Sequence, residues 1–222
     1  MSSPIKSSFK TEWFSVAIIG LAFLAGLYFV SRLPALVPTH WNLAGQPNGY
    51  STPYAAAFLL PLLMLIIYLV LVFLPYIDPK KDQYASFAPV YHHFKDLIIF
   101  FLFIIYMLTN LSGVGYKISI AFWTPLLVGG LFVIIGALLN KVKMNWFMGI
   151  RTPWTMSSET VWAKTHQLSS RVLMIAGLII ALTVMAPAAW KNAMFILAVA
   201  IVVLALPIYS YFLYAREKKE KK

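Results

Sequence analysis

Residues 54–77, YAAAFLLPLLMLIIYLVLVFLPYI, decide the fold class: they run without a charged side chain past the roughly 20 apolar residues that a helix needs to cross a bilayer core. The same length test finds further runs at 14–33, 97–112, 118–139, 168–187 and 193–213, the run at 97–112 being the shortest and extendable back to Tyr91. Composition agrees. At 61% hydrophobic and 11% charged residues, with a mean hydropathy of +0.79, a soluble 222-residue domain would have too little polar surface to cover its apolar area. The expected fold is all-α: a polytopic integral membrane bundle of six transmembrane helices, one membrane domain over 1–222.

Orientation follows from the cations, because basic loops resist translocation and stay cytoplasmic. With the N-terminus inside, only Arg32, Lys117 and Lys191 of the 18 lysines and arginines fall outside. Lys6, Lys10, Lys80, Lys81, Lys95, Lys141, Lys143, Arg151, Lys164, Arg171 and the cations of the C-terminal tail stay inside. Both termini are therefore expected in the cytoplasm, and an odd helix count would move the basic tail or the 141–167 loop to the wrong side. Lys6 and Lys10 ahead of an apolar stretch resemble a secretory signal, but the stretch has full spanning length and reads as a retained anchor.

The net charge of +11 is what this topology and an anionic inner leaflet predict, so anionic lipids are expected partners. The tail 215–222, AREKKEKK, is a solvated basic end, and without interleaved aromatics or a recognition module it implies no direct nucleic-acid binding. With no cysteine there is no disulfide framework, thiol nucleophile or zinc thiolate, and stability rests on helix packing.

Chemistry concentrates in two loops. The outer one, 34–53, carries Pro34 and Pro38, which end the first helix, and a turn signal at Pro47-Asn48-Gly49. His40, Trp41 and Asn42 are thereby expected in a small folded-back extracellular cap, either contacting a ligand or serving as an interfacial loop with Trp41 and Tyr50 at headgroup depth. The inner loop, 141–167, contains NWFMGIRTPWTMSSETVWAKTH at 145–166, a polar and aromatic island between oily segments. Ser157 or Ser158 can cap a helix that begins before the membrane, with Glu159 in its first turn. Glu159, Trp162 and His166 then fall at i, i+3 and i+7 on one helix face. Arg151, between Gly149 and Pro153, presents a planar fork of donors to a carboxylate such as Glu159, to a phosphate or to helix carbonyls. The plainer reading makes Trp146, Trp154 and Trp162 interfacial belt residues and Arg151 a staple of its own loop.

Asn145, Phe147, the run Gly149-Ile150-Arg151-Thr152-Pro153-Trp154-Thr155, then Trp162 and Thr165-His166 resemble the signature of the SdpI family of bacterial membrane proteins. Pro34, Pro38, His40, Asn42, Gly45, Pro47 and Tyr50-Ser51 are similar to the domain of unknown function that precedes that signature. Thr52 stands where family members often carry lysine, and Met144 where they often carry proline. The resemblance implies a multi-pass protein of the bacterial cytoplasmic membrane, without catalysis or cofactor, that protects a producer from a secreted peptide toxin at its outer face. It also implies signalling through recruitment of a cytoplasmic transcriptional repressor. On that scheme His40, Trp41 and Asn42 serve outer recognition or the structure of the cap, while Asn145, Arg151, Thr152, Trp154, Glu159, Trp162 and His166 shape the inner site.

Two rival classes are testable. His92, Asp96, Glu159 and His166 all belong to expected cytoplasmic helix ends and, if they converge, could supply the ligands of a zinc hydrolase, although no HExxH pattern is present. A small-molecule or lipid transporter would be expected to place coupling acids or bases at mid-membrane, whereas the helices there offer mainly Ser, Thr, Asn110 and the interruptions Pro61 and Pro125. Gly129, Gly130 and Gly136 read as close-packing positions.

Overall fold

The computed structural model describes residues 4–5, 7–42 and 45–220; Lys6, Lys221 and Lys222, counted among the expected inner cations, lie outside that set. Helix α1 (Phe9–Val30) begins at Ser8, which forms a reciprocal capping box with Thr11. A two-stranded antiparallel hairpin follows, β1 (Val37–Trp41) with β2 (Pro47–Ser51). Then come α2 (Pro53–Ile77), α3 (Tyr84–Gly113), α4 (Ile120–Leu139), the short α5 (Pro153–Ser157), α6 (Glu159–Leu182), α7 (Ala188–Ala200) and α8 (Leu206–Glu220).

Among the described residues, six helical stretches are long and apolar enough to cross a membrane: Phe9–Phe29, Pro53–Ile77, Lys81–Gly113, Ile120–Leu139, Glu159–Met185 and Ala189–Glu220. In none of their apolar windows does the buried share exceed 39%, so large side chains such as Leu24, Leu59, Phe73 and Leu204 point outward. A shell of that kind needs lipid around it, and the protein is a multi-pass membrane protein built of helices.

The third, fifth and sixth spans run well beyond their sequence runs, the fifth because its helix begins at Glu159. α3 starts at Tyr84 although Pro89 lies inside it, because the backbone leaves helical geometry at Phe87 (φ −128, ψ 22) and so accommodates the proline. The last span joins α7 to α8 through a π-turn at Ile201–Ala205, which carries the helix through without a break.

The chain divides into two compact units. The first is formed by Leu74–Tyr91 and the chain from Pro125 on. Its α4 and α6 approach closely: a Cβ on Gly129 would lie 2.5 Å from the Gly177 carbonyl oxygen, and one on Gly136 would lie 2.8 Å from that of Ser170. Gly130 has open space beside it, so the expected trio is a pair on one helix face. Leu139, Leu173 and Leu206 form one apolar centre, and Ala176, Ile180 and Ala198 another.

The second unit holds Ser7 to Phe73 together with His92–Thr124. Ile18, Ala22, Phe29, Ala57, Met64, Ile99 and Tyr106 lie in its core, where the Tyr106 hydroxyl and the Asn110 amide donate to the α2 carbonyls of Ala57 and Ala56 at 3.1 and 3.2 Å. One feature departs from the sequence expectation. Lys95, assigned to the aqueous inner side, is buried at 1% exposure inside α3. Its ammonium donates to the Glu12 carboxylate and to the Thr11 carbonyl of α1. The Tyr68 hydroxyl of α2 also donates to Glu12, at 3.0 Å, and Ser15 donates to Asp96 at 2.5 Å. A charge enters the helix packing here because it is paired and hydrogen-bonded.

Candidate functional site

The signature at 145–166 folds as a knot of hydrogen bonds within the first unit. Asn145, fully buried, is its hub: Oδ1 accepts from the Phe147 and Met148 amides at 2.9 and 2.6 Å, while Nδ2 donates to the Lys143 and Met148 carbonyls. An asparagine suits this place because it supplies acceptor and donor from one short planar group. Asp78, 2% exposed and just past the end of α2, binds the knot from outside the signature. Its Oδ2 accepts from the Trp146 amide at 2.9 Å and from the Tyr84 hydroxyl at 2.8 Å, and its Oδ1 accepts from the Lys80 amide at 2.7 Å. The buried carboxylate thus ties the α2–α3 loop to the α4–α5 loop.

Gly149 comes next, with φ +111, a conformation that side-chain-bearing residues rarely adopt. A Cβ there would also collide with Nε2 of His166. That nitrogen accepts from the Ile150 amide at 3.0 Å, and Nδ1 donates to the Trp162 carbonyl at 2.9 Å, so the two bonds define a neutral tautomer. The His166 ring stacks on Trp162 with centroids 4.0 Å apart, and the Trp162 indole N–H donates to the Val142 carbonyl at 2.9 Å. Arg151, exposed, directs Nη1 at the Trp146 carbonyl.

Thr152 and Thr155 then form a capping box, with Pro153 opening α5, and the Thr152 hydroxyl meets Ser210 of α8 at 2.9 Å. Ser158 caps α6 and donates to Glu217 at 2.6 Å. Trp154 packs edge-on against Tyr211 at 5.2 Å. Thr152→Ala removes the cap and the Ser210 contact together, and a loss of about 1–2 kcal/mol in thermal unfolding of the purified protein is expected.

The expected inner residues therefore divide. Asn145, Thr152, Trp162 and His166 are buried and interlocked, Trp154 is half-buried, and Arg151 and Glu159 are exposed. The expected helix-face stripe separates, since Glu159 faces outward while Trp162 and His166 face the knot. Trp162 is packed at 3% exposure and is not a belt residue, whereas Trp146 at 52% has the exposure of one. Arg151 pairs with its own loop and forms no ion pair with Glu159 among the described residues.

The zinc set His92, Asp96, Glu159 and His166 is not assembled. Both ring nitrogens of His166 are committed, Asp96 accepts from Ser15, and among the described residues no group of three or more His, Cys, Asp or Glu can hold a metal.

The hairpin of the second unit forms the other site. His40 and Asn48 face each other across the strands, with the ring Nδ1 donating to Asn48 Oδ1 at 2.6 Å. Asn42 accepts from the Gln46 amide at 2.9 Å through Oδ1, and Gly45, at φ +77, turns the chain where a Cβ would strike Ala121 of α4. Val37 is fully buried, and a Cβ on Gly113 of α3 would lie 3.0 Å from it, so the strand base packs onto that helix end. His40 is exposed, and Trp41 and Asn42 are half-buried. Thr52, at the position where related chains often carry lysine, accepts from the Ala55 amide at 3.3 Å and so helps start α2.

Comparison with known proteins places both loops. Residues 141–210 match the SdpI/YfhL protein family, and residues 17–65 match a domain of unknown function, DUF1648. The chain is 30% identical over 172 residues to Immunity protein SdpI of Bacillus subtilis (strain 168), a span covering 78% of this chain and 80% of that protein. The chain belongs to the SdpI/YfhL family. No solved structure matches it.

The region matching the SdpI/YfhL family ends at Ser210, the residue whose hydroxyl meets Thr152, so it takes in that closure of the knot. Asp78 and Tyr84 lie outside both matched regions and were not foreseen as site residues. The available signal was Asp78 itself, one of only seven acids in the chain, standing directly after an apolar span.

Proposed function

We propose that this chain is a non-catalytic immunity protein of the bacterial cytoplasmic membrane that protects the cell against a secreted antimicrobial peptide toxin. The observation that carries the reading is the 30% identity to Immunity protein SdpI across 78% of the chain. With both termini cytoplasmic, the hairpin at 37–51 faces outward and meets the toxin, and the knot at 141–158 faces inward. His40 and Asn48 offer a polar pair on a strand scaffold whose base is packed, and Leu36, Tyr50 and Tyr54 offer exposed apolar surface beside it. Recognition by a pre-shaped hairpin avoids the entropy cost of ordering a loop on binding.

On the inner side the knot presents Trp146 and Arg151 from a loop whose backbone is fixed by Asn145, Asp78 and His166. A rigid loop of this kind can report the toxin-bound state to a cytoplasmic transcriptional repressor.

The test is survival of a Bacillus subtilis strain lacking its own SdpI and challenged with the peptide toxin it secretes. Expression of this chain is expected to restore survival, and the double variant His40→Ala with Asn48→Ala to reduce that protection about tenfold at equal membrane abundance, the loss of roughly 1.4 kcal/mol of recognition. No protection by the parent chain, with insertion verified, would overturn the immunity reading. An Arg151→Ala variant that protects but no longer changes repressor-controlled transcription would support inner-face signalling.

A further inference from the structure

Two basic loops are joined by one buried carboxylate. Asp78 accepts from the Lys80 amide on one loop and from the Trp146 amide on the other, so Lys80 and Lys81 belong to the same bracket as Lys141, Lys143 and Arg151. Lys81, Lys141, Lys143 and Arg151 are exposed and Lys80 is half-buried. Across 78–83 and 140–158 the one exposed acid is Asp82. α2 ends at Ile77 and α4 at Leu139, so these cations follow directly on two apolar spans, at the depth of lipid headgroups. Trp146, half exposed and held by its amide, is an indole at that same level. Arg151 uses Nη1 on the Trp146 carbonyl and is otherwise exposed, and a guanidinium carries four further N–H donors beyond that one bond.

We propose that this bracket is a binding site for the phosphate of an anionic phospholipid headgroup, held by Arg151 with Lys143 from one loop and Lys81 from the other. A planar guanidinium matches two phosphate oxygens, and the flanking ammonium groups add charge without fixed geometry. Lipid is favoured over an acidic protein by position, since the cations begin within a few residues of two spans and an indole stands among them. The site does not depend on toxin recognition, and its test reads lipid binding and not survival.

The experiment uses the full chain in uncharged detergent, with bound lipid counted by native mass spectrometry during titration with phosphatidylglycerol, phosphatidylcholine or inorganic phosphate. Phosphatidylglycerol is expected to bind at least about tenfold more tightly than phosphatidylcholine. Arg151→Gln, Lys143→Gln and Lys81→Gln are each expected to weaken it roughly fivefold, the effect of one basic residue at an anionic surface. Lys81→Gln provides an arm independent of the Trp146 carbonyl contact. The double variant Lys218→Gln with Lys219→Gln, which removes more charge from the exposed tail, is expected to bind like the parent. Equal affinity for the two lipids, or a tail variant weakened as much as the bracket variants, would overturn the proposal. So would inorganic phosphate displacing the lipid at matching concentration, which would make the bracket a free-anion site.

Discussion

Gly149→Ala is expected to unfold the signature knot locally while the helices remain inserted. The residue sits at φ +111, where a side chain costs on the order of 1–3 kcal/mol, and its new methyl would occupy the place of His166 Nε2. The imidazole cannot yield cheaply. It is stacked on Trp162 and bonded to the Ile150 amide and the Trp162 carbonyl, so displacing it forfeits two further contacts of about 1 kcal/mol each. The sum, roughly 3–5 kcal/mol, exceeds what a loop of this size can absorb. Hydrogen exchange at the Ile150 and Met148 amides should rise by two to three orders of magnitude, with unchanged membrane abundance. Gly130→Ala is the control, since open space beside that helical glycine predicts a neutral or slightly stabilising change. Unaltered exchange across 145–152 in Gly149→Ala would show that the knot does not depend on this close approach.

Lys95→Ala should destabilise the second unit by a comparable amount. Removing the ammonium leaves the Glu12 carboxylate with hydroxyl donors from Tyr68 and Thr11 and the His92 ring 3.8 Å away, without its lysine counter-charge. Breaking one partner of a buried pair costs about 3–5 kcal/mol, whereas replacing both partners by groups of similar shape is often near neutral. Lys95→Met combined with Glu12→Gln should therefore recover most of the loss. Thermal unfolding in detergent reads both variants, with a drop of roughly 10 °C expected for Lys95→Ala and a few degrees for the pair. Equal drops for the single and double variants would mean that Lys95 acts through its packed methylene chain and not through its charge.

The hairpin at 37–51 and the knot at 145–158 were unequally legible. Pro47-Asn48-Gly49 announces a reversal from local chemistry alone, and the chain does return there, pairing Val37 with Ser51. Ser158 as a helix cap was readable for the same reason, because a cap bonds to an amide three residues on. The start of α5 at Pro153 rests on the same local chemistry, since Thr152 and Thr155 cap it, whereas the burial of Trp162 was not readable, because it depends on the Val142 carbonyl 20 positions away.

The sequence by itself determined the membrane class, the six spans and the two loops in which polar residues gather, because burial in lipid is a property of composition and length that each segment carries independently. Only the tertiary structure decided which polar groups act together. It drew Asp78 and Tyr84 to Asn145, turned Glu159 away from His166, and closed Lys95 onto Glu12. Hydrogen bonds and ion pairs reach across a few ångströms between residues tens of positions apart, and no local pattern in a chain encodes which partner will arrive.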